Sequence, residues 1–283
     1  MEVSSALTGR RGVSLPFTDV CPGLKLAGTD SGALYEAAVE LGRERRWRYL
    51  ECRDRGSDWA GSTPSVEFYG HEIFFEGGPE KVFGRLSSAA RLGVEKARKS
   101  GVQIEFGNDL DAMQVYYRLH CATRRRHGIP PQPWRFFEEI AGQVLAQERG
   151  IILNARLQGR AVAGAVFFHQ RGQAIYKFGA LDYRFQQARP ANLVMWEALQ
   201  WYSTRGFSSM HLGRTSKVNA GLRRFKQGLG GVERSIEYAR FDLRKNRFVT
   251  DRDRAESWMN ALFRRLPVSW LRLAGAFLYP HLS

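Results

Sequence analysis

Residues 151–181 read IILNARLQGRAVAGAVFFHQRGQAIYKFGAL. Three runs rich in apolar, β-branched and aromatic residues, Ile151–Leu157, Arg160–Gln170 and Gln173–Leu181, are separated by Gln158-Gly159 and Arg171-Gly172. A two-residue separator that ends in glycine suits a tight hairpin, because such turns need positive φ. The stretch therefore predicts an antiparallel meander.

On either side of it the period changes from strand-like to helical. Asp109 opens a helix over Ala112 to Arg126 that ends in Arg124-Arg125-Arg126-His127-Gly128, and Pro130-Pro131 prevents its continuation. Trp134 to Gln147 is a second amphipathic helix. Downstream, Pro190 starts a helix over Ala191 to Arg205, followed by a strand at Ser209–Leu212, a helix around Gly221 to Gly228 stopped by Gly230-Gly231, and a strand over Glu233 to Leu243.

Towards the N-terminus, Met1 to Gly28 reads as loop. Asp30-Ser31 caps a helix reaching about Arg46, and a strand follows at Arg48 to Cys52. A turn at Gly56 to Pro64 leads to two strands, Val66–Tyr69 and Glu72–Phe75. Gly77-Gly78-Pro79 is the clearest boundary. One helix then runs to about Ser100, with Val82, Leu86, Ala89, Ala90 and Ala97 on one face, and a strand follows at Val102–Phe106. From Asp251 the tail is helical and amphipathic. No internal repeat is present. The order is α+β, divided as 1–78, 79–245 and 246–283.

Lys and Arg number 43 against 28 Asp and Glu, a net charge of +15. Such an excess disfavours a basic partner and favours nucleic acid, phosphorylated sugars or an anionic membrane face. Hydrophobic residues make up 43% of the chain, enough to build a core and exclude a disordered one. The three cysteines, Cys21, Cys52 and Cys121, are odd in number and far apart, which excludes a disulfide framework and fits a reducing compartment. There is no CxxC and no zinc spacing, so no metal is expected. Residues Met1 to Val20 hold no signal-peptide core, and no apolar run reaches the roughly 18 residues of a membrane span. The expectation is a soluble cytoplasmic protein.

Four pieces stand in series: YRLHCATRRRHG (117–128), IYKFGA (175–180), PANLVMWE (190–197) and GLRRFK (221–226). Together they resemble the FemAB-like group of GNAT-fold transferases. Those include aminoacyl-tRNA-dependent enzymes that add amino acids to peptidoglycan precursors, and relatives associated with exopolysaccharide and cell-envelope gene sets. The resemblance implies a GNAT-like fold, a mixed, mostly antiparallel sheet flanked by helices, with two lobes. Here the first lobe looks incomplete, since Leu15-Pro16-Phe17 resembles the middle of such a lobe. A second departure concerns coenzyme A. The usual pyrophosphate loop is glycine-rich so that backbone N–H groups meet phosphate oxygens. The corresponding turn, Asp182 to Pro190, has no glycine and Pro190 lacks a donor, though Arg184 and Arg189 remain for an anion.

Amide formation from an activated ester needs two reactants held in line and an oxyanion stabilised, so no Ser/His/Asp or Cys/His signature is required. The resemblance ties Lys226 to acyl transfer; the alternative is a surface lysine on a short basic helix. Phe225 is a core residue or a wall of the site. Tyr176 is a hydroxyl donor near the acceptor or a buried tyrosine, and of Tyr176 and Lys177 one faces the core and the other a cleft. Asp182 is a general base or a turn and cap residue. Asn192 contacts the acceptor or serves the helix start. Arg124 and Arg125 bind phosphate or complement the helix dipole. Arg184 and Arg214 complete the expected substrate contacts.

These readings converge on an N-acyltransferase or aminoacyltransferase acting on an amine of a peptidoglycan precursor or envelope polysaccharide amino sugar. It would hold no tight cofactor and take aminoacyl-tRNA or acyl-CoA as co-substrate. Three alternatives stand: an acyl-CoA-dependent N-acetyltransferase, a non-catalytic module binding tRNA or precursor, and a general RNA-binding protein supported by charge alone. The tail, Trp258 to Tyr279, mixes Arg264, Arg265 and Arg272 with large apolar residues. It either packs on its own domain or meets an anionic membrane peripherally.

Overall fold

The computed structural model describes residues 1–21, 23, 31–54, 63–250 and 258–281. In chain order its elements are β1 (Glu2–Ser5), β2 (Gly9–Val13), α1 (Ser31–Glu44), β3 (Tyr49–Arg53), β4 (Val66–Phe74), α2 (Gly78–Arg85), α3 (Ser88–Lys99), β5 (Gln103–Gly107), α4 (Leu110–His127) and α5 (Trp134–Ile140). A π turn (Ala141–Leu145) leads into β6 (Gly150–Leu157), β7 (Arg160–Gln170) and β8 (Gln173–Leu181). After a 3-10 turn (Tyr183–Ala188) come α6 (Pro190–Thr204), β9 (Ser209–Ser216), α7 (Ala220–Gly228), β10 (Val232–Asp242), β11 (Arg247–Phe248), α8 (Trp258–Arg265) and α9 (Val268–Leu278).

The expected meander is present: β6, β7 and β8 pair antiparallel, and β5 adds to β6. Among the described residues eleven strands form one mixed sheet, ordered β1-β2-β3-β10-β4-β9-β8-β7-β6-β5, with β11 on β10. Its pairs are antiparallel except β2/β3 and β8/β9. The sheet is α+β with helices on both faces. One face carries α2, α3 and α6 over a core that includes Leu153, Phe167, Leu199 and Met210. The other carries α4, α5 and the π turn over Met113, Tyr116, Phe137 and Val166. Helix ends follow the expected chemistry. Asp109 Oδ1 accepts from Ala112 N at 2.8 Å, and Gly128 closes α4 in the left-handed region. An added Cβ at Gly128 would collide with the Asn260 carbonyl, so α8 rests directly on this turn.

Four expectations change. The loop-like start holds a hairpin, β1/β2, whose polar residues hide its strand character. Its buried Arg11 donates to the His281 carbonyl at 3.0 Å, a contact distant in sequence. The two strands of 66–75 are one strand, β4, with a register shift between Gly70 and Glu72. The single helix from Pro79 is two, because Leu86 is extended and Ser87 caps α3 by accepting from Ala90 N at 3.2 Å. The helix expected to reach Gln147 changes to π geometry at Ala141. The Asp30 cap and most of the Gly56–Pro64 turn lie outside the described residues. The expected division at 78/79 falls after the first residue of α2, and β4 just before it sits between β9 and β10 in the sheet.

Leu199 is fully buried in α6, whereas Leu92 on α3 is 64% exposed. Leu199→Ala is expected to lower unfolding free energy by about 2–5 kcal/mol and Leu92→Ala by less than ~0.5 kcal/mol, read from urea denaturation midpoints.

Candidate active site

Strands β8 and β9 pair over only three positions, Gln173–Ser209, Ala174–Met210 and Ile175–His211. Two residues later each strand carries a bulge. Against β7, the register passes from Phe167–Tyr176 to Val166–Phe178 and leaves Lys177 as the extra residue. Against β4, it passes from Glu72–His211 to Gly70–Arg214 and leaves an extra residue at Leu212-Gly213. Gly213 has φ of +72°, and a Cβ there would lie 2.9 Å from Asp19 Oδ2. Bulges bend a strand and re-aim its side chains, so this matched pair opens the sheet.

Lys226 reaches the opening from α7. That helix is capped by Asn219, whose Oδ1 accepts from Leu222 N, and tied to β10 by Arg223 donating twice to Glu233 at 2.7 Å. Lys226 is 3% exposed. Its Nζ donates to the carbonyls of Gly213 (2.8 Å) and Arg214 (3.1 Å). Burial pushes its pKa down to about 8, against the opposing pull of Asp19. The surface-lysine alternative is thereby excluded. Its neighbour Phe225 packs against the core on the α2/α3/α6 side.

Residues 14–21 cross the opening. Arg53 Nη1 donates to the Thr18 carbonyl (2.8 Å), Lys177 Nζ to the Phe17 carbonyl (2.6 Å) and Tyr238 OH to the Asp19 carbonyl (2.7 Å). The Asp19 carboxylate faces Arg214, with Oδ1 3.4 Å from Nε and Oδ2 accepting from the backbone N at 3.4 Å. The Arg214 guanidinium lies 4.5 Å from the Phe68 ring centroid and donates to Tyr238 OH at 3.0 Å. Two cavities meet at this crossing, and Asp19 and Lys177 line both. One, of about 600 Å³, also takes in Glu72, His169, Ser209 and His211. The other, of about 410 Å³, takes in Phe17, Arg124, Phe136, Phe178 and Arg214. Burial, led by desolvation, lowers the pKa of Lys177 and of His211. His211 Nδ1 accepts from Gly213 N at 3.1 Å, so the neutral ring carries its proton on Nε2.

Of the residues expected from sequence, Arg214 and Arg124 line the smaller cavity, and Lys226, which lines neither, joins them through its bonds to the carbonyls of Gly213 and Arg214. Arg124 also donates to the Pro130 carbonyl. The others lie elsewhere. Tyr176 points to the opposite face, its ring 5.5 Å from that of Phe167, and burial pushes its phenol up to about 12. Asp182 caps the 3-10 turn and is bound by the Arg184 guanidinium at 2.6 Å, which holds its carboxyl below the usual range. Both line neither cavity. Asn192 packs against Gly93 of α3, and Arg125 is exposed. In the turn between β8 and α6, Arg184 N donates to Asp182 Oδ1, Phe185 N to the Asp182 carbonyl and Arg189 N to the Gln186 carbonyl. Three of the turn's N–H groups are thereby already engaged within the turn itself.

Strand alternation pointed to Lys177 once Tyr176 faced the core. Asp19 and His211 were missed. Asp19 stands in a stretch without periodicity, and the bulge that turns His211 inward has no local signature.

No curated protein matches the sequence. A family model described as an acetyltransferase (GNAT) domain matches residues 85–227. The chain belongs to this GNAT family and is an acyltransferase. Membership implies an acyl donor as co-substrate, acyl-CoA in the family's usual form. Among solved structures, FemX superposes with a TM-score of 0.60 at 13% identity, over 79% of this chain and 81% of that one. The C-terminal domain of a putative lysylphosphatidylglycerol synthetase from Agrobacterium fabrum gives 0.56 at 14%, over 82% and 76%. L-PGS from Bacillus licheniformis gives 0.52 at 11%, over 82% and 76%. All three share the fold. Among the described residues no helix is long and apolar enough to cross a membrane, and no three His, Cys, Asp or Glu side chains gather as a metal site would need.

Burial holds the Lys226 pKa at about 8, against 10.5 for an ordinary lysine. Below pH 8 the buried ammonium opposes folding. As pH rises from 8 towards 10.5 the folded state sheds the proton first, and that penalty fades. The stability of the protein relative to Lys226→Met is therefore expected to rise across this window, measured by denaturation of both at matched pH.

Proposed function

We propose that this acyltransferase forms an amide by moving an acyl or aminoacyl group from an activated ester to an amine, on a peptidoglycan precursor or an envelope polysaccharide amino sugar. The observation that carries the reading is the opening between β8 and β9. There, Lys177, Arg214 and buried Lys226 surround one carboxylate, Asp19, at the junction of two cavities. Two cavities meeting at one point suit two substrates held in line. The acceptor nitrogen attacks the acyl carbonyl, the N–C bond forms and the C–O bond to the donor breaks. The nitrogen's proton passes to Asp19 and then to the departing oxygen. Lys177 and Arg214 face the developing oxyanion, and Lys226 fixes the carbonyls of Gly213 and Arg214 beneath them.

The turn between β8 and α6 supports an aminoacyl ester as donor, since it has no glycine and three of its N–H groups are already engaged within it. The net charge of +15 suits a tRNA. The structural neighbours, FemX and the C-terminal domain of a putative lysylphosphatidylglycerol synthetase, accord with an envelope acceptor and an aminoacyl donor. The family description favours acyl-CoA instead. Arg124 at the second cavity is placed to hold a substrate phosphate.

Thermal stabilisation separates the donors. Ligand at ~100 times its Kd adds about 2.7 kcal/mol. Charged tRNA or a UDP-linked precursor is expected to raise the melting temperature, and coenzyme A to leave it unchanged. A shift with coenzyme A alone would move the assignment to acyl-CoA. Asp19→Asn and Lys226→Met are each expected to lower kcat/KM for transfer by about 10²-fold. Wild-type-like turnover in either, with precursor binding intact, would remove that residue from the chemistry.

A further inference from the structure

Helix α9 has two apolar faces. Leu271 and Gly275 are buried, and Gly275 meets the Pro131 carbonyl so closely that a Cβ would collide with it. That face docks the helix on its own domain. The opposite face presents Trp270, Leu273 and Phe277, at 64%, 69% and 65% exposure. Their spacing of three and four residues places them on one stripe. Leu262 of α8, 52% exposed, adds to the apolar surface of the tail.

Three exposed large side chains on one stripe of a helix already anchored by its other face are unusual on a free surface. What surrounds them names the partner. Residues 258–281 contain no Asp or Glu and carry Arg264 and Arg265, both exposed, and Arg272, whose guanidinium lies 5.4 Å from the Tyr117 ring centroid. At the neighbouring end of α4, Arg125 and Arg126 are exposed as well. A tryptophan among aliphatic and aromatic residues, on a stretch that carries arginines and no Asp or Glu between residues 258 and 281, fits the interface of an anionic bilayer. There the ring sits at headgroup depth and the cations meet lipid phosphates. A protein partner would need a complementary acidic surface of its own, and a second copy of this chain, at +15, would bring like charge to the contact.

We infer that the outer face of α9, with the exposed edge of α8, is a peripheral docking surface for anionic membrane. This does not rest on the proposed reaction. It has a consequence for the site: Tyr279, just past α9, stacks on Phe17 at 5.9 Å, and Phe17 lines the smaller cavity. A docked α9 therefore brings that cavity close to the lipid headgroups.

The test is co-sedimentation of the full chain with vesicles of pure phosphatidylcholine and of phosphatidylcholine with 30% phosphatidylglycerol (by design, about one lipid in three anionic). Binding is expected to the second kind only, and to weaken as salt is raised. A triple variant, Trp270→Ser with Leu273→Ser and Phe277→Ser, is expected to reduce binding by at least about tenfold. Because these side chains are exposed, its melting temperature should stay within a few degrees of wild type. Arg264→Gln with Arg265→Gln is expected to weaken binding and flatten its salt dependence, which keeps the test decisive if the first variant misfolds. Failure of the wild type to sediment with anionic vesicles overturns the inference. So does undiminished binding in both variants, or a dimer in light scattering that the apolar triple variant dissolves while vesicle binding is absent.

Discussion

The parallel pairing of β8 with β9 lasts three residues and then fails on both sides at once. Lys177 and Gly213, the bulged positions, stand the same distance past the last pair. A single bulge would bend one strand around an otherwise continuous sheet. Two facing bulges part the strands and leave a gap lined by main chain. A gap of this kind is unstable unless its carbonyls are satisfied. Lys226 supplies that satisfaction from below, bonding the carbonyls of Gly213 and Arg214 with one buried ammonium. The helix that carries it is in turn held by Arg223 on Glu233. The site thus depends on a buried cation that is costly to desolvate and therefore needs both of its acceptors in place.

The contacts above the gap are of another kind. Asp19 and Arg214 are 33% and 40% exposed and 3.4 Å apart. A pair so open to solvent contributes about 0–1 kcal/mol. A substrate phosphate, carboxylate or ammonium can replace either partner with little loss. The floor of the site is therefore fixed by buried bonds, and its mouth is held by exchangeable ones. That division suits catalysis in which the oxyanion environment is preorganised while two substrates enter and leave.

What the sequence revealed follows the range of the forces involved. The meander was legible because glycine turns and strand alternation act within a few residues, and Asp109 and Gly128 marked α4 for the same reason. The hairpin β1/β2 was not, because its strands pair polar backbone at a sheet edge and are held by Arg11 on a carbonyl 270 positions away. Lys226 was found through motif order, and burial then separated it from its surface alternative. Tyr176 and Asp182 shared the motif's neighbourhood without sharing its space: alternation turned Tyr176 into the core, and Arg184 claimed Asp182 locally. Asp19 had no signal, since its place arises from Arg53, Lys177 and Tyr238 each bonding a carbonyl of residues 17–19.

The residues nearest the two ends of the chain meet over the site. Phe17 stacks on Tyr279, Ser5 Oγ lies 3.0 Å from His281 Nδ1, and Arg11 holds the His281 carbonyl. Residues 14–21 roof the gap, and α9 buttresses that roof through Tyr279. Gly275 on Pro131 and Asn260 on Gly128 fix α8 and α9 to the end of α4, the helix that also brings Arg124 to the smaller cavity. Roof, buttress and cavity wall therefore share one set of contacts. From α9 the contacts run through Tyr279 to Phe17 and then to Lys177, whose Nζ bonds the Phe17 carbonyl. The position of residues 14–21, which supply Asp19 to both cavities, is set jointly by the bulged strands beneath them and by the helix at their side.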